Sequence, residues 1–380
     1  MRSLRSIAVF FPTLLASGCA EDSPSGGSEC RPAELIVATS DGTSSAICAV
    51  RHGESPVVFQ GADLGGDPSL AISSGRAFLV ARSLDTLFEL NPICGSPTQK
   101  FILPPVANHS GSTNPQDVAA IADGTLFVPR YNTGTLAVLS KEGDLEQEID
   151  LRQFDLDGNP EASAVRTIDV AGVPKVFVAL ERLQIQTNGF LLPVRESWML
   201  RLDARTRTVE ASIPLAGRNP FNSIVEANGI FFLAEPGNFL EVGEPFAGIE
   251  RFDPAASQTA ILVTEQALGG SVSEVAVSGG CGAAIVADAS PEKNNTALAF
   301  FEASTGRVTV PYSASPIRTD GFQLRGLAFH GSTLYVGDRT RAANGYPIHE
   351  FEIDSACAPK QSVDSLFVPQ MPISIRAAGF

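Results

Sequence analysis

Between Arg152 and Glu161 (RQFDLDGNPE), the side chains of Asp155, Asp157, Asn159 and Glu161 alternate around Gly158. Oxygen ligands at every second position of a turning backbone could wrap a hard cation, and calcium is the ion they would suit. The twelve-residue spacing of an EF-hand loop is not kept. A capped turn, in which Asp and Asn bond their own backbone, uses the same residues. A second set stands at the ends of a recurring apolar strand: Arg82, Arg130, Glu181, Arg182, Glu235, Asp288, Asp338 and Arg339, with Thr39 at the corresponding place. Brought to one mouth, these arginines and carboxylates could hold a polar or zwitterionic ligand, or a divalent cation. Strands that simply end in solvent would show the same residues, and mixed signs also suit mutual salt bridges.

Motifs for covalent or metal-assisted catalysis are missing. The chain has four histidines and no HExxH, GxSxG or phosphate-cradling glycine loop. His109, in a loop reading ANHSGS, is the one histidine placed to act as a general base; His330 and His349 read as structural. Two functional readings follow. The first is a binding scaffold that works through one loop face. The alternative is a metal-dependent hydrolase or lactonase-like enzyme with a carboxylate-lined site at the mouth, for which Glu235, Asp288 and Asp338 would be the ligands. No cofactor beyond the calcium of the first set is implied.

What must position these residues is a repeat. In Asn114–Leu151, short apolar segments alternate with Gly-, Asn- and Asp-bearing turns. They predict four antiparallel strands at Asp117–Ala122, Thr125–Pro129, Thr135–Ser140 and Leu145–Leu151. The turn glycine after the first strand recurs as Gly75, Gly124, Gly172, Gly229, Gly280, Gly331 and Gly379, at intervals of 48 to 57 residues. The segments that follow repeat too: AFLVA, LFVP, VFVAL, FFLA, AIVA and LYVG, with ELIVA ahead of the series. A four-strand unit cannot bury both of its faces alone, so this period predicts an all-β, seven-bladed β-propeller with four antiparallel strands per blade.

Glu34–Ala38 is a second-strand sequence with no first strand ahead of it, and Pro372–Gly379 is a first-strand sequence with no second strand after it. Together they complete one blade. The C-terminal strand is therefore expected to join blade 1 and close the ring over 34–380, leaving no free sheet edge. Loops between second and third strands (Gln184–Glu196, Pro236–Gly248, Ala289–Asn295, Arg339–Pro347) share a face with the inter-blade connections Arg152–Ala164 and Ser313–Phe322. These are the long loops, and function in scaffold folds concentrates on such loops. The lone Trp198 is expected to pack between sheets in blade 4.

Cys94 and Cys357 occupy equivalent turns in blades 2 and 7, while Cys30 and Cys281 both lie just before second strands. The same neighbour relation thus occurs twice and predicts disulfides Cys30–Cys94 and Cys281–Cys357, with Cys48 left as a buried thiol in a third strand.

The first residues pair a basic start (Arg2, Arg5) with an apolar run, Ile7 to Ala16, too short to span a bilayer. Leu15-Ala16-Ser17-Gly18 ahead of Cys19 resembles a bacterial lipobox. The resemblance implies a signal peptide over 1–18 and a lipid on Cys19. Residues 19–33 would then be a lipidated, flexible tether. With Ala20 after the cysteine, it also implies outer-membrane sorting in a Gram-negative cell. The blade pattern resembles NHL- and YVTN-type propeller repeats, and the run Ile149–Phe221 looks like exported propeller lipoproteins of deltaproteobacterial type. That resemblance implies fold and compartment, with a periplasmic or extracellular face, more than activity. With a net charge of −15 and scattered basic residues, the chain is a poor nucleic-acid binder. The partners expected are the membrane, through the anchor, and an envelope protein, a glycan or a small ligand; a monomer is expected.

Overall fold

In the computed structural model, which describes residues 30–60, 64–187, 189–239, 241–288, 295–361 and 365–379, the repeats fold as seven antiparallel sheets. The innermost strands, blades 1 to 7, are Met371–Ala377, Pro68–Ser73, Ala119–Ala120, Ala162–Val170, Phe221–Ala227, Ser271–Ser278 and Leu324–His330. They touch one another in ring order. The chain is a seven-bladed β-propeller. The lipobox, Cys19, most of the tether and loop residues 289–294 lie outside the described residues.

The pattern of burial explains the strand sequences. Second and third strands are the most buried, and Leu35–Ser40 and Ser45–Val50 are buried at every position. They lie between two neighbouring blades and so read as continuous apolar runs. Outer strands bury one side only, as in Thr208–Pro214, where exposed and partly buried residues alternate. The hydrophobic core is correspondingly divided into seven clusters, one between each pair of adjacent blades. Between blades 4 and 5, for example, Phe177 meets Phe231 and Phe252 edge-on at 5.3 and 5.7 Å. Blades 6 and 7 carry their outer edge in two short pieces, with Arg318–Thr319 and Leu366–Val368 pairing the third strands beside the fourth.

Ring closure is as the ends of the sequence require. Met371–Ala377 pairs antiparallel with Leu35–Ser40, and Leu35 faces Ala377. Both expected disulfides are present: Cys30–Cys94 joins blade 1 to blade 2, with Cα atoms 5.6 Å apart, and Cys281–Cys357 joins blade 6 to blade 7 at 5.3 Å. Cys48 is buried outside both, its sulfur 3.9 Å from the Thr39 hydroxyl. No helix among the described residues is long and apolar enough to cross a membrane.

The expectation for blade 3 needs correction. Its innermost strand was expected over Asp117–Ala122, but only Ala119–Ala120 pairs, with one further bridge from Pro115 to Arg130. In this register Asp117 stands opposite Pro129, which has no N–H to give, and the Pro129 carbonyl accepts from Gln116 N at 3.3 Å instead. The Asp117 carboxylate accepts N–H groups from Val118 (2.9 Å) and from Val165 of blade 4 (3.1 Å).

Candidate functional site

The inner strands of all seven blades surround a channel along the propeller axis, with a cavity volume of about 290 Å³. Seven charged side chains line it: Arg82, Arg166, Arg325, Arg376, Asp117, Glu226 and Glu274. Backbone irregularity aims several of them. The pairing of first with second strands slips at Val272/Glu274 in blade 6 and at Arg325/Leu327 in blade 7, and bulges of this kind re-aim side chains. Gly326 sits in the second bulge at φ 77°. A Cβ there would come within 2.9 Å of the Ile375 side chain, so glycine is required. Its N–H donates to Glu274 Oε1 at 3.2 Å.

The channel charges are only loosely matched. Arg166 Nη2 lies 3.8 Å from Glu226 Oε2, and Arg325 Nε lies 3.5 Å from Glu274 Oε1. Arg82 reaches outward to Asp67 at 3.3 Å. Arg376 donates to neutral acceptors, the Ile375 carbonyl at 2.8 Å and Ser223 Oγ at 3.0 Å. Burial raises the Asp117 carboxyl above its ordinary range, against the pull of the Val165 and Val118 N–H groups and of Arg376. Burial likewise raises Glu274, with Arg325 opposing. Burial also lowers Arg376 and Arg82, which Asp117 and Asp67 respectively hold up.

The charged positions expected around the mouth do not form one open rim. Arg82 faces the channel. Arg130 is fully buried, donating to the Pro104 carbonyl at 2.9 Å and facing Glu148 at 3.6 Å. Arg182 lies over the Trp198 ring at 3.8 Å, so Trp198 packs between Arg182 and the core shared by blades 3 and 4. Glu181 is buried and accepts from Tyr131 Oη at 2.6 Å; burial pushes its carboxyl up to about 8. Glu235 is buried with no donor on either oxygen. Burial and the neighbouring Glu250 raise it well above the usual carboxylate range. Asp288 is engaged by Asn295 and by Tyr312 Oη at 3.3 Å. Asp338 accepts from Thr340 N at 2.7 Å and meets His349 Nε2 at 3.2 Å. Arg339, beside Arg325, is lowered by burial and by that repulsion.

Of the four oxygen-bearing residues after blade 3, Asp157, Asn159 and Glu161 bond to one another and Asp155 turns to an arginine. Asp155 is ion-paired to Arg195, and Asp157 caps Asn159 N at 2.9 Å. Glu161 accepts from Leu183 N at 2.9 Å and Asn159 Nδ2 at 3.1 Å, and burial pushes its carboxyl up to about 8. These contacts build the capped turn. Among the described residues no three His, Cys, Asp or Glu side chains gather as metal ligands would. His109 lies in a shallow groove with Tyr131, Asn132 and Glu161, and its Nε2 faces the Ser112 carbonyl at 3.1 Å.

Sequence reasoning looked for site residues at strand ends and missed six of the seven channel residues. Their signal is present nonetheless. ASAVRTIDV, FNSIVEA, SVSEVAVS, LRGLAFH and MPISIRA each carry a charge inside an innermost strand, where burial would otherwise select apolar residues.

No protein-family profile matches the chain, and no curated protein matches it. Solved structures do. A putative 6-phosphogluconolactonase from Bacteroides fragilis is 15% identical, with 90% of this chain and 97% of that one covered and a TM-score of 0.52. Dihydro-heme d1 dehydrogenase NirN in complex with DHE is 14% identical over 91% and 75%, TM-score 0.52. A streptogramin B lyase is 13% identical over 81% and 86%, TM-score 0.50. The likeness is one of fold. At such identities it carries neither substrate nor chemistry.

Proposed function

We propose that this propeller is a non-enzymatic binding module that takes a small polar ligand into its axial channel, acting as a monomer held at the outer membrane by lipid on Cys19. The observation that carries the reading is the channel itself: a cavity of about 290 Å³ walled by seven charged side chains. Small-ligand sites combine a concave, largely preformed cavity with a few convergent polar groups, and this one lies at the small end of that range. The hydrolase reading would need Glu235, Asp288 and Asp338 to converge. Each is instead buried or engaged by its own neighbours, so binding is the better supported of the two. The groove beside His109 on the loops is more open than the channel and carries one charged side chain, Glu161, so it supports a small polar ligand less directly.

Calorimetric titration of the purified domain with small ligands grouped by charge tests the channel. Binding that survives substitution of both Arg166 and Arg325 by Gln would place the ligand elsewhere. For the anchor, radiolabelled palmitate should be incorporated by the full chain in a Gram-negative host and lost in Cys19→Ser. Label retained in that variant would refute lipidation at this cysteine.

A further inference from the structure

We propose that the channel ligand is an anion, with a carboxylate or phosphate group held by Arg376 and Arg166 in a channel that Arg82 and Arg325 also line. The inference rests on the reading of the channel as a ligand site and concerns which chemistry that site selects.

The first ground is the count of commitments on the acidic side. Every channel carboxylate already accepts main-chain N–H groups: Asp117 from Val118 and Val165, Glu226 from Gly229 at 2.8 Å, and Glu274 from Gly326 at 3.2 Å. Those bonds hold the acids against the walls and use lone pairs the arginines would otherwise take. A cationic ligand would therefore meet carboxylates that are already partly satisfied.

The arginine side is the reverse. A guanidinium carries five N–H donors in a planar fork. Arg376 directs two contacts to neutral oxygens and forms no ion pair among the described residues. Arg166 gives one hydrogen bond to the Ile72 carbonyl at 2.8 Å, and its nearest carboxylate oxygen is 3.8 Å away, beyond hydrogen-bond length. Arg82 and Arg325 repel each other, as do Arg325 and Arg339 behind it, and the Nε groups of Arg82 and Arg339 are buried without a partner, although Arg82 is paired to Asp67 through Nη1. Like charges crowded into a low-dielectric wall with unmade bonds are unfavourable by themselves. A planar carboxylate or a phosphate supplies the missing acceptors and the missing charge together, in the bidentate geometry a guanidinium favours.

The test uses the full chain at low ionic strength, titrated separately with succinate, inorganic phosphate, putrescine and glucose. Arginine Nε–H signals are followed by nuclear magnetic resonance, with that of Arg376 assigned through Arg376→Lys. Succinate or phosphate should shift the Arg376 signal and raise the melting temperature. Arg376→Gln should weaken that binding at least tenfold, with Arg376→Lys recovering part of it. Should Arg376→Gln fail to fold, the shift in the unmodified chain remains the deciding readout. If putrescine or glucose perturbs the channel signals and the two anions do not, the anion proposal is overturned while the channel stands as a ligand site. If none of the four perturbs them, the channel reading falls and this proposal with it.

Discussion

Arg166 of blade 4 donates to the main-chain carbonyl of Ile72 in blade 2 at 2.8 Å, reaching past the two-residue inner strand of blade 3. Nearby, the Thr167 hydroxyl donates to the Ala120 carbonyl at 2.7 Å and lies 3.3 Å from Ser73 Oγ, so blades 2, 3 and 4 are stitched together at this point. The shortened strand is thus compensated by side chains that cross the ring. Arg166→Met keeps most of the aliphatic bulk and removes the bridge. It should lower unfolding stability by about 1–2 kcal/mol, a charged hydrogen bond discounted for partial exposure. Urea denaturation measures this, and an unchanged midpoint would show that the contact carries no stability.

Closure of the ring by Met371–Ala377 has a sharper consequence. Removing 371–380 exposes the inner edge of Leu35–Ser40 and strips the Ile375 side chain from the core between blades 7 and 1. Each blade is buried only by its neighbours, so opening the ring exposes two blade faces at once. The truncated chain should lose its single cooperative unfolding transition in calorimetry. A transition like that of the full chain would contradict closure as the source of cooperativity.

The two disulfides close loops of similar length, with sequence separations of 64 and 76 residues, at different blade junctions. Replacing either pair by alanine should cost about 2–4 kcal/mol. Because the pairs share no contacts, the quadruple variant should lose close to the sum of both. Denaturant titration of the three variants would reveal strong non-additivity if one bridge compensates for the other.

The architecture was legible in the sequence because its signals are local and repeated. A turn glycine and an apolar second strand recur seven times, and the orphan strands at the two ends can only complete each other. The disulfides followed from the same bookkeeping, since equivalent positions in neighbouring blades are neighbours in space. The channel was not legible. Whether Glu274 and Arg325 face an axis or a neighbouring blade depends on bulges at Val272/Glu274 and Arg325/Leu327, and a one-residue slip reverses the face of every later side chain. Strand-end charges misled for a related reason. Arg130, Glu181 and Glu235 end strands in sequence yet lie beneath long loops, so chain position did not equal exposure.

Those same buried acids set the dependence of stability on pH. Glu250 and Glu265 are pushed up to about 7 and Glu161 and Glu181 to about 8, in each case first by burial, and Glu235 is raised well above the usual carboxylate range by burial and by Glu250. A folded-state value above the unfolded one means that the folded chain binds more protons between the two. The stability from these groups is complete below about pH 4.5 and is lost as pH rises through 7 to 8. The opposite sign applies to Asp203, lowered first by the Thr206 N–H and then by Lys175, and to Asp150, lowered to about 2 by Arg152; their contribution is lost as pH falls below about 4. Melting temperature should therefore peak near pH 4 to 5 and decline towards pH 8. Glu235→Gln removes one of these raised groups while keeping its shape, and its amide can donate to Glu250. At pH 8 this variant should melt several degrees above the unmodified chain, with the two converging at pH 5. Parallel melting curves across pH 5 to 8 would show that Glu235 does not titrate with folding, and the carboxyl pair would then have to be ionised in the native state.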